Sequence, residues 1–337
     1  MGTAGGARHE VREEELRPGA RVVVRHLLND GSASDALGEL LAADAQTLVV
    51  ATRRGTVRVA RSAVLAAKAV PPPPQRPERP HRAVGVADLE RVMAAHWRAA
   101  QEEPLGDWLL RAAGGFTSRA NSCLALGSPG VDLPAALAGV RAFYAARGLP
   151  AVVAVPHEVD SPDAPHDGPA GELDAALAGA GWGLRTPTLV LTAATRRLPR
   201  PHPAPPGLAL ELSPTPDEGW LGAYRYRGTP LPAAGRALLE SAQAQVFVSV
   251  RRGAEVVALA RGSLSPGWVG LTAVEVSEEH RRRGLGRLLL AAVAGWGLER
   301  GAASTYLQVA QDNAAARALY ASAGFTVHHG YRYRVAP

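Results

Sequence analysis

The chain has 337 residues, with 37 Lys and Arg against 31 Asp and Glu, a net charge of +6 and a single cysteine. That length exceeds one typical core and implies two or three domains, and no run of about twenty apolar residues is present to span a membrane. Met1–Arg17 is polar and lacks the apolar stretch of a secretory leader, and the lone Cys123 excludes an internal disulfide, so a cytoplasmic protein is the default expectation.

The positive charge is almost all arginine, Lys68 being the one lysine. A nucleic-acid surface is the sharper reading of that excess, but acidic residues are interspersed throughout, and a polyphosphate ligand would use part of the charge. Two proline-rich breaks, 71–83 and 197–206, read as stiff, solvated spacers between domains. A third Pro/Gly/Asp run, Ser161 to Gly171, reads as a surface loop.

Residues 15–70 read as short strands: Ala20–Leu28, Leu37–Leu41, Thr47–Thr52 and Thr56–Ala60, with Arg54-Gly55 as a hairpin turn. A small SH3-like barrel is the expected fold. It could bind peptide or RNA. The plainer reading is a packing or dimerisation module, favoured because the strands carry no aromatic patch.

Residues 84–196 begin with a helix over Ala87–Ala99, with Leu89, Val92, Met93 and Trp97 on one face. Strands follow at Trp108–Ala112 and Asn121–Leu126, a helix at Leu133–Arg147, and a strand at Ala151–Val155. Leu173–Ala180 reads as helix and Thr188–Leu191 as extended.

Residues 207–337 open with a helical segment over Pro216–Tyr226. Gln245–Val250 and Val256–Arg261 form a hairpin around Arg251-Arg252-Gly253, and Trp268–Val276 is a central strand. That strand runs through Glu278-Glu279-His280 into Arg281-Arg282-Arg283-Gly284-Leu285-Gly286-Arg287. There a helix begins, with Leu285, Leu289, Val293 and Trp296 on its apolar face. A strand, a glycine turn and a helix start make an anion site: open backbone N–H groups and the positive end of the helix dipole meet at one spot. Two glycines let a diphosphate approach the backbone. A Walker loop would need Gly-Lys-Ser/Thr, and Lys68 lies far upstream. A dinucleotide fold wants a third glycine where Leu289 stands. Downstream, Tyr306-Leu307-Gln308-Val309 reads as a buried strand, Asp312 or Asn313 as an N-cap, and Asn313–Tyr320 as a helix ending in Ala323-Gly324-Phe325.

Arg281-x-x-Gly284-x-Gly286 followed by Asn313-x-x-Ala316-x-x-x-Tyr320 and Gly324-Phe325 resembles the two signatures of the GNAT superfamily of acyl-CoA N-acyltransferases, in that family's order and spacing. The resemblance covers roughly residues 206–337. It implies an α/β (α+β) fold: a mixed, mostly antiparallel sheet flanked by helices. It further implies acetyl-CoA as cofactor and an amine acceptor, small molecule or protein, attacked directly in a ternary complex. By that analogy Val274 and Val276 face the pantetheine arm, and Arg281, Arg282, Arg283, Gly284, Leu285, Gly286 and Arg287 hold the diphosphate. Asn313 and Tyr320 contact the cofactor, Val276 N–H serves the oxyanion, and Tyr320 protonates the leaving thiolate.

The base is less readable. Gln308 stands where some relatives carry glutamate. Glu275 is on the central strand, but period-two geometry points it away from the face of Val274 and Val276 unless a bulge changes the parity. The element order of 84–196 also resembles a GNAT domain. It lacks the arginine–glycine turn, and Gly181-Trp182-Gly183 stands for the Gly-Phe corner. It reads as a degenerate copy that has lost cofactor binding, in the tandem arrangement of mycothiol synthase, with Asp107, Arg111, Arg119 and Asn121 as candidates to line a cleft between the halves. A non-catalytic acyl-CoA sensor is the alternative function. No metal site and no membrane partner are expected, nucleic acid is the least favoured partner, and the oligomeric state is monomer or homodimer.

Overall fold

The computed structural model describes residues 16–28, 30–52, 55–70, 80–159, 168–185, 187–226 and 228–337, without the side chain of Tyr226. Arg54 of the expected hairpin turn, most of the first proline-rich spacer and the first part of the Ser161–Gly171 loop lie outside them. The chain forms two compact units, Met1–Pro77 and Glu78–Pro337.

The first unit is an antiparallel sheet of β1 (Arg21–Leu27), β2 (Ala33–Ala43), β3 (Thr47–Thr52), β4 (Gly55–Ala60) and β5 (Val64–Ala69), in the order β4-β3-β2-β1-β5. Val22, Val24, Ala36, Leu40, Leu48, Val50 and Val59 alternate inward and form its core. A bulge after Leu40 bends β2, and a 3-10 turn over Arg61–Ala63 turns the chain into β5. This is the small barrel-like sheet the sequence suggests, with one more strand: Val64–Ala69 is too alanine-rich to show an apolar alternation.

In the second unit, α1 (Pro80–Ala83) and α2 (Val86–His96) precede β6 (Gln101–Leu105), β7 (Trp108–Ala112) and β8 (Cys123–Leu124). Then come α3 (Leu133–Ala145), β9 (Val152–Glu158), α4 (Gly168–Gly179), β10 (Gly183–Leu184) and β11 (Thr188–Ala194). After the second proline-rich stretch follow β12 (Ala209–Ser213), α5 (Glu218–Ala223), β13 (Arg225–Tyr226), β14 (Thr229–Pro230), α6 (Ala233–Leu239), β15 (Ala244–Arg252), β16 (Glu255–Ser265) and β17 (Trp268–Val276). The chain ends with α7 (Leu285–Glu299), β18 (Ser304–Ala310), α8 (Ala314–Ser322) and β19 (Thr326–Val335).

Several elements differ from the sequence reading: helix α4 begins at Gly168 and takes in the end of the expected Ser161–Gly171 loop, α2 stops at His96 rather than Ala99, and β10, β12 and β19 are additional strands. The strand expected at 121–126 shrinks to Cys123–Leu124, because Asn121 is committed to loop bonds with Ala113, Gly115, Phe116 and Thr117. The helix expected at 216–226 is the six-residue α5, capped by Asp217 and followed by a short hairpin and a further helix. The polar β6 carries Pro104 and shows no strand signal; it is an edge strand, where proline is tolerated.

One sheet unites the second unit, in the order β12-β15-β16-β17-β18-β11-β19-β9-β8-β7-β6, with β10 beside β19. The two halves do not close separately. β11 of the first half pairs along the whole of β18 and also with β19, and β19 of the second half pairs with β9 of the first. The alternation along β17 and β18 splits the core. Val269, Leu271 and Leu307 pack with Leu285, Leu289, Val293 and Trp296 of α7 on one face. Trp268 and Tyr306 pack with Leu89 and Met93 of α2 on the other. Gly270 is required here, since a Cβ would lie 2.5 Å from the Tyr306 hydroxyl.

The exchanged strand has a direct test. A fragment of residues 197–337 lacks β11 and leaves β18 and β19 unpaired on facing edges. It should be insoluble or unfold without cooperativity, and co-expression with residues 78–196 should restore a single sharp melting transition by calorimetry.

Candidate active site

The site begins with one extra residue. Across β16 and β17, Arg261 pairs with Thr272 and Leu259 with Glu275, so Ala260 alone faces Ala273 and Val274. This is a β-bulge, and Ala273 takes a left-handed φ of 51° to make it. The bulge changes the side-chain parity of the strand end. Val274 and Val276 come to the α7 face with Ala258, while Glu275, opposite Leu259, stays on the other face as alternation requires; all three line one groove that runs through the strand opening. Burial pushes the Glu275 carboxyl up to about 7, opposed mainly by the hydrogen bond it accepts from the Arg225 N–H at 3.0 Å.

The second feature is a parting of strands. β17 and β18 pair in parallel only from Trp268–Ser304 to Leu271–Leu307. Beyond that point the facing edges of Thr272–Val276 and Gln308–Ala310 have no ladder between them. The Ser277 N–H donates to Val257 on the β16 side, so alternation sends the Val276 N–H toward the gap.

The third is the start of α7. Arg282 at φ 61° and Gly284 at φ 80° alternate with right-handed or extended residues, curling the backbone into a concavity of N–H groups. Among the described residues, the amides of Arg282 through Gly286 donate to no carbonyl, and no side chain caps the helix. A Cβ on Gly284 would point into open space, where the strained φ already disfavours one. Upstream, the Ser277 hydroxyl and buried His280 are 2.9 Å apart and fix the short 3-10 turn that leads into this curl.

Together these elements enclose a groove of about 1150 Å³. Val274, Glu275, Val276, Arg281, Arg282, Gly284, Leu285, Gly286, Arg287 and Asn313 all line it, as the sequence suggests. Arg283 does not: it is exposed, on the outside of the turn. Asn313 does two things at once, accepting the Ala316 N–H at 3.0 Å as the cap of α8 and lining the groove. Tyr320 is not among the lining residues either. Ala316 and Leu319 form that wall, while Tyr320 is buried edge-to-face against Phe325, and burial pushes its phenol up to about 12. Ala223, Arg225, Gly228 and Val256, at the other end, were missed because α5 and the hairpin after it carry no motif.

The corresponding helix start in the first half is closed. The Asp132 carboxylate accepts the Ala135 N–H at 2.8 Å at the head of α3, placing a negative charge where a phosphate would have to sit. Of the four first-half residues suggested for a cleft, Asp107 and Asn121 are spent on loop geometry. Arg111 and Arg119 face a separate crevice together with Gln308.

A mixed sheet parted beside an arginine–glycine helix start, with a carboxylate poised near neutrality in the opening, defines an acyltransferase of the GNAT type. Family comparison agrees. Residues 84–334 match the family described as "Probable histone acetyltransferase Rv0428c C-terminal", and residues 16–68 match "Rv0428c N-terminal Sm-like domain". The chain is 32% identical over 329 residues to the probable histone acetyltransferase Rv0428c of Mycobacterium tuberculosis, covering 94% of each chain. It is 27% identical to the uncharacterized N-acetyltransferase YobR of Bacillus subtilis, over 74% of this chain and 98% of that one. Among solved structures, a GCN5-related N-acetyltransferase from Kribbella flavida shares the fold, with a TM-score of 0.55, 19% identity, and 75% of this chain and 95% of that one covered. The chain therefore belongs to the Rv0428c family of GNAT acetyltransferases.

The bulge can be probed through its strained residue. Ala273→Val puts a β-branched side chain at a positive φ that alanine already strains to adopt, and should lower Tm by a few degrees. Ala273→Gly relieves about 1–2 kcal/mol of strain, offset in part by glycine's entropic cost of about 0.5–1 kcal/mol, and should melt at or a few degrees above the parent.

Proposed function

We propose that this protein transfers an acetyl group from acetyl-CoA to an amine by direct attack within a ternary complex. The observation that carries the reading is the run of five open amides at the head of α7, beside an unpaired strand edge. The residues fit the group. The amides of Arg282–Gly286, with Arg281, Arg282 and Arg287 around them, suit a diphosphate, each charge-assisted bond contributing about 1.5–3 kcal/mol. The open edges of β17 and β18 suit the amides of a pantetheine arm. When bound, acetyl-CoA supplies an acyl group activated as a thioester.

Glu275 is the base in this reading. An alkyl amine is protonated near neutrality, its ordinary pKa being about 10, and a carboxylate near 7 is matched to remove that proton at working pH. The Val276 N–H is placed to meet the developing oxyanion. Tyr320 keeps its proton at every working pH. A phenol near 12 cannot protonate a thiolate of ordinary pKa near 8.5 without an uphill transfer, so its part is a hydrogen bond to the departing sulfur. The acceptor class, small molecule or protein, lies with the walls around Ala223, Arg225 and Gly228.

Calorimetric titration with CoA, followed by mass spectrometry of an amine panel incubated with acetyl-CoA, tests the proposal. CoA binding with transfer supports it. Binding without transfer to any amine would point to a sensor, and no binding by folded protein would end the reading. Because the Glu275 carboxyl must be ionised to act, kcat/KM should rise with pH through about 7 and level off. Glu275→Gln should remove that limb and lower kcat by about 10²-fold. Tyr320→Phe, which removes one hydrogen bond of about 0.5–1.5 kcal/mol, should lower kcat by about two- to tenfold, with the CoA dissociation constant unchanged.

A further inference from the structure

β19 carries a bulge of its own. Val190 of β11 pairs with His329 and Leu191 with Val327, which leaves His328 as the extra residue. Regular alternation would send His328 and His329 to opposite faces. The bulge instead lets the two rings meet, with their Nδ1 atoms 2.8 Å apart. From there the contacts run both ways into the α2 segment. His328 Nε2 lies 2.8 Å from the Val84 carbonyl, just ahead of α2, and His329 Nε2 lies 3.0 Å from Glu90 Oε1, within α2. His329 and Glu90 are both buried, at 0% and 5% exposure. These three contacts fasten the first helices of the unit to its last strand.

The protons in this chain can be counted. A carbonyl only accepts, so His328 Nε2 carries a hydrogen. Burial holds the His328 pKa below its ordinary value, opposed in part by the Val84 bond, so the ring is neutral near pH 7 and its Nδ1 is bare. His329 Nδ1 must then donate to it. What remains is His329 Nε2 facing Glu90 Oε1. One hydrogen between them makes a bond, whether as imidazolium against carboxylate or as carboxylic acid against imidazole. With none, a lone pair faces a carboxylate across 3.0 Å of protein interior, and two buried acceptors go unsatisfied. Protonating His328 instead gives the same count: its Nδ1–H donates to His329, whose own hydrogen moves to Nε2 and points at Glu90. Every complete arrangement therefore holds at least one proton beyond two neutral rings and a carboxylate.

The charged groups around the chain set how tightly that proton is held. Glu158, opposite His329 on β9, is exposed and favours positive charge on His328. Arg111 and Arg119 line the crevice that Glu90 also lines, and they favour its ionised form. His157 of β9 packs against Gly330 and lies 3.2 Å from the Val155 carbonyl. The phenols of Tyr306 and Tyr331 keep their protons because burial raises both pKa values. On α2 itself, Asp88 and Arg91 form an exposed pair at 2.9 Å, and α1 contributes buried His81.

We infer that Val84, His328, His329 and Glu90 form a proton-dependent clasp joining the α2 segment to β19, closed while a proton is shared between His329 and Glu90 and loosened when alkali removes it. The clasp does not depend on the acetyl-transfer reading. It acts on the helix that carries Met93 against Gln308 and ends at His96, whose carbonyl accepts from Arg261 at 3.1 Å. An unfolded chain sheds the corresponding proton above about pH 6.5, the ordinary histidine value, whereas the closed clasp keeps it. Folding then takes up a proton. The contribution of the clasp is complete below about pH 6.5 and declines above it, by up to about tenfold in folding constant per pH unit.

Calorimetric unfolding of the full chain at about pH 7.5, in buffers of different ionisation heat, counts the protons exchanged. The parent should release about one proton more on unfolding than Glu90→Gln. The glutamine amide donates to a bare His329 Nε2 and so completes the chain without a titrating group. Between about pH 6.5 and 8.5 the parent's Tm should fall more steeply than that of the variant. Glu90→Met, of similar volume and with neither charge nor acceptor, should lose the same proton if the glutamine variant does not fold. On the parent alone, nitrogen NMR near pH 7 should find hydrogen on His328 Nε2 and on His329 Nδ1. Proton release equal in parent and variant to within about half a proton, or a bare His329 Nδ1 beside a neutral His328, would overturn the inference.

Discussion

Everything at this site depends on where one ladder of hydrogen bonds stops. Four residues of β17 pair with four of β18, and then the strands part. Backbone amides and carbonyls left unpaired in a protein interior are costly unless something else satisfies them. The unpaired edges are tolerable because they face a groove that a polar ligand can fill. The bulge at Ala273 has the same logic. Left-handed alanine costs about 1–2 kcal/mol, and in return the strand end reverses its facing, with Val274 and Val276 on the α7 side of the opening and Glu275 on the other. The phosphate end adds a third instance, five helix-start amides without internal partners. Three local departures from regular structure, adjacent along fifteen residues of chain, make one continuous binding surface.

Arginine is distributed between two jobs. Arg281, Arg282 and Arg287 sit exposed around the helix start, where attraction for an anion acts at little desolvation cost. Arg261 is fully buried and makes hydrogen bonds to the carbonyls of Leu239 and His96, at 2.5 and 3.1 Å, at the ends of α6 and α2. Burial pulls its pKa down to about 10, so it remains charged at neutral pH. The negative ends of those two helices compensate a cation that has no carboxylate partner among the described residues. It thereby ties the first half, through α2, to β16, the strand against which the bulge forms.

Much of the site was legible in the sequence because its parts are local. The arginine–glycine turn, the Asn313 cap and the apolar face of α7 each lie within a few residues, where spacing maps directly onto geometry. The bulge at Ala273 was not legible. A bulge is set by pairing across two strands, and nothing at Ala273 announces a left-handed residue. Arg283 fits the same motif as Arg282, yet one residue along a curled backbone is enough to turn it outward. The place of Tyr320 was likewise hidden, since motif position fixes its helix but not the depth of its ring beneath Leu319. The interleaving of β11 and β19 could not be read at all: each looks like an ordinary terminal strand of its own half, and its partners lie more than a hundred residues away.

That interleaving bears on how the protein is made. β9 acquires its second neighbour only when β19 exists, roughly 170 residues later in the chain. At ribosomal speeds of about 5–20 residues per second, the nascent first half waits for roughly 8–34 s with an open edge. An interval of that length exposes it to aggregation and to chaperones. The two halves are thus bound by birth order as well as by hydrogen bonds: neither can be finished until β19 has left the ribosome.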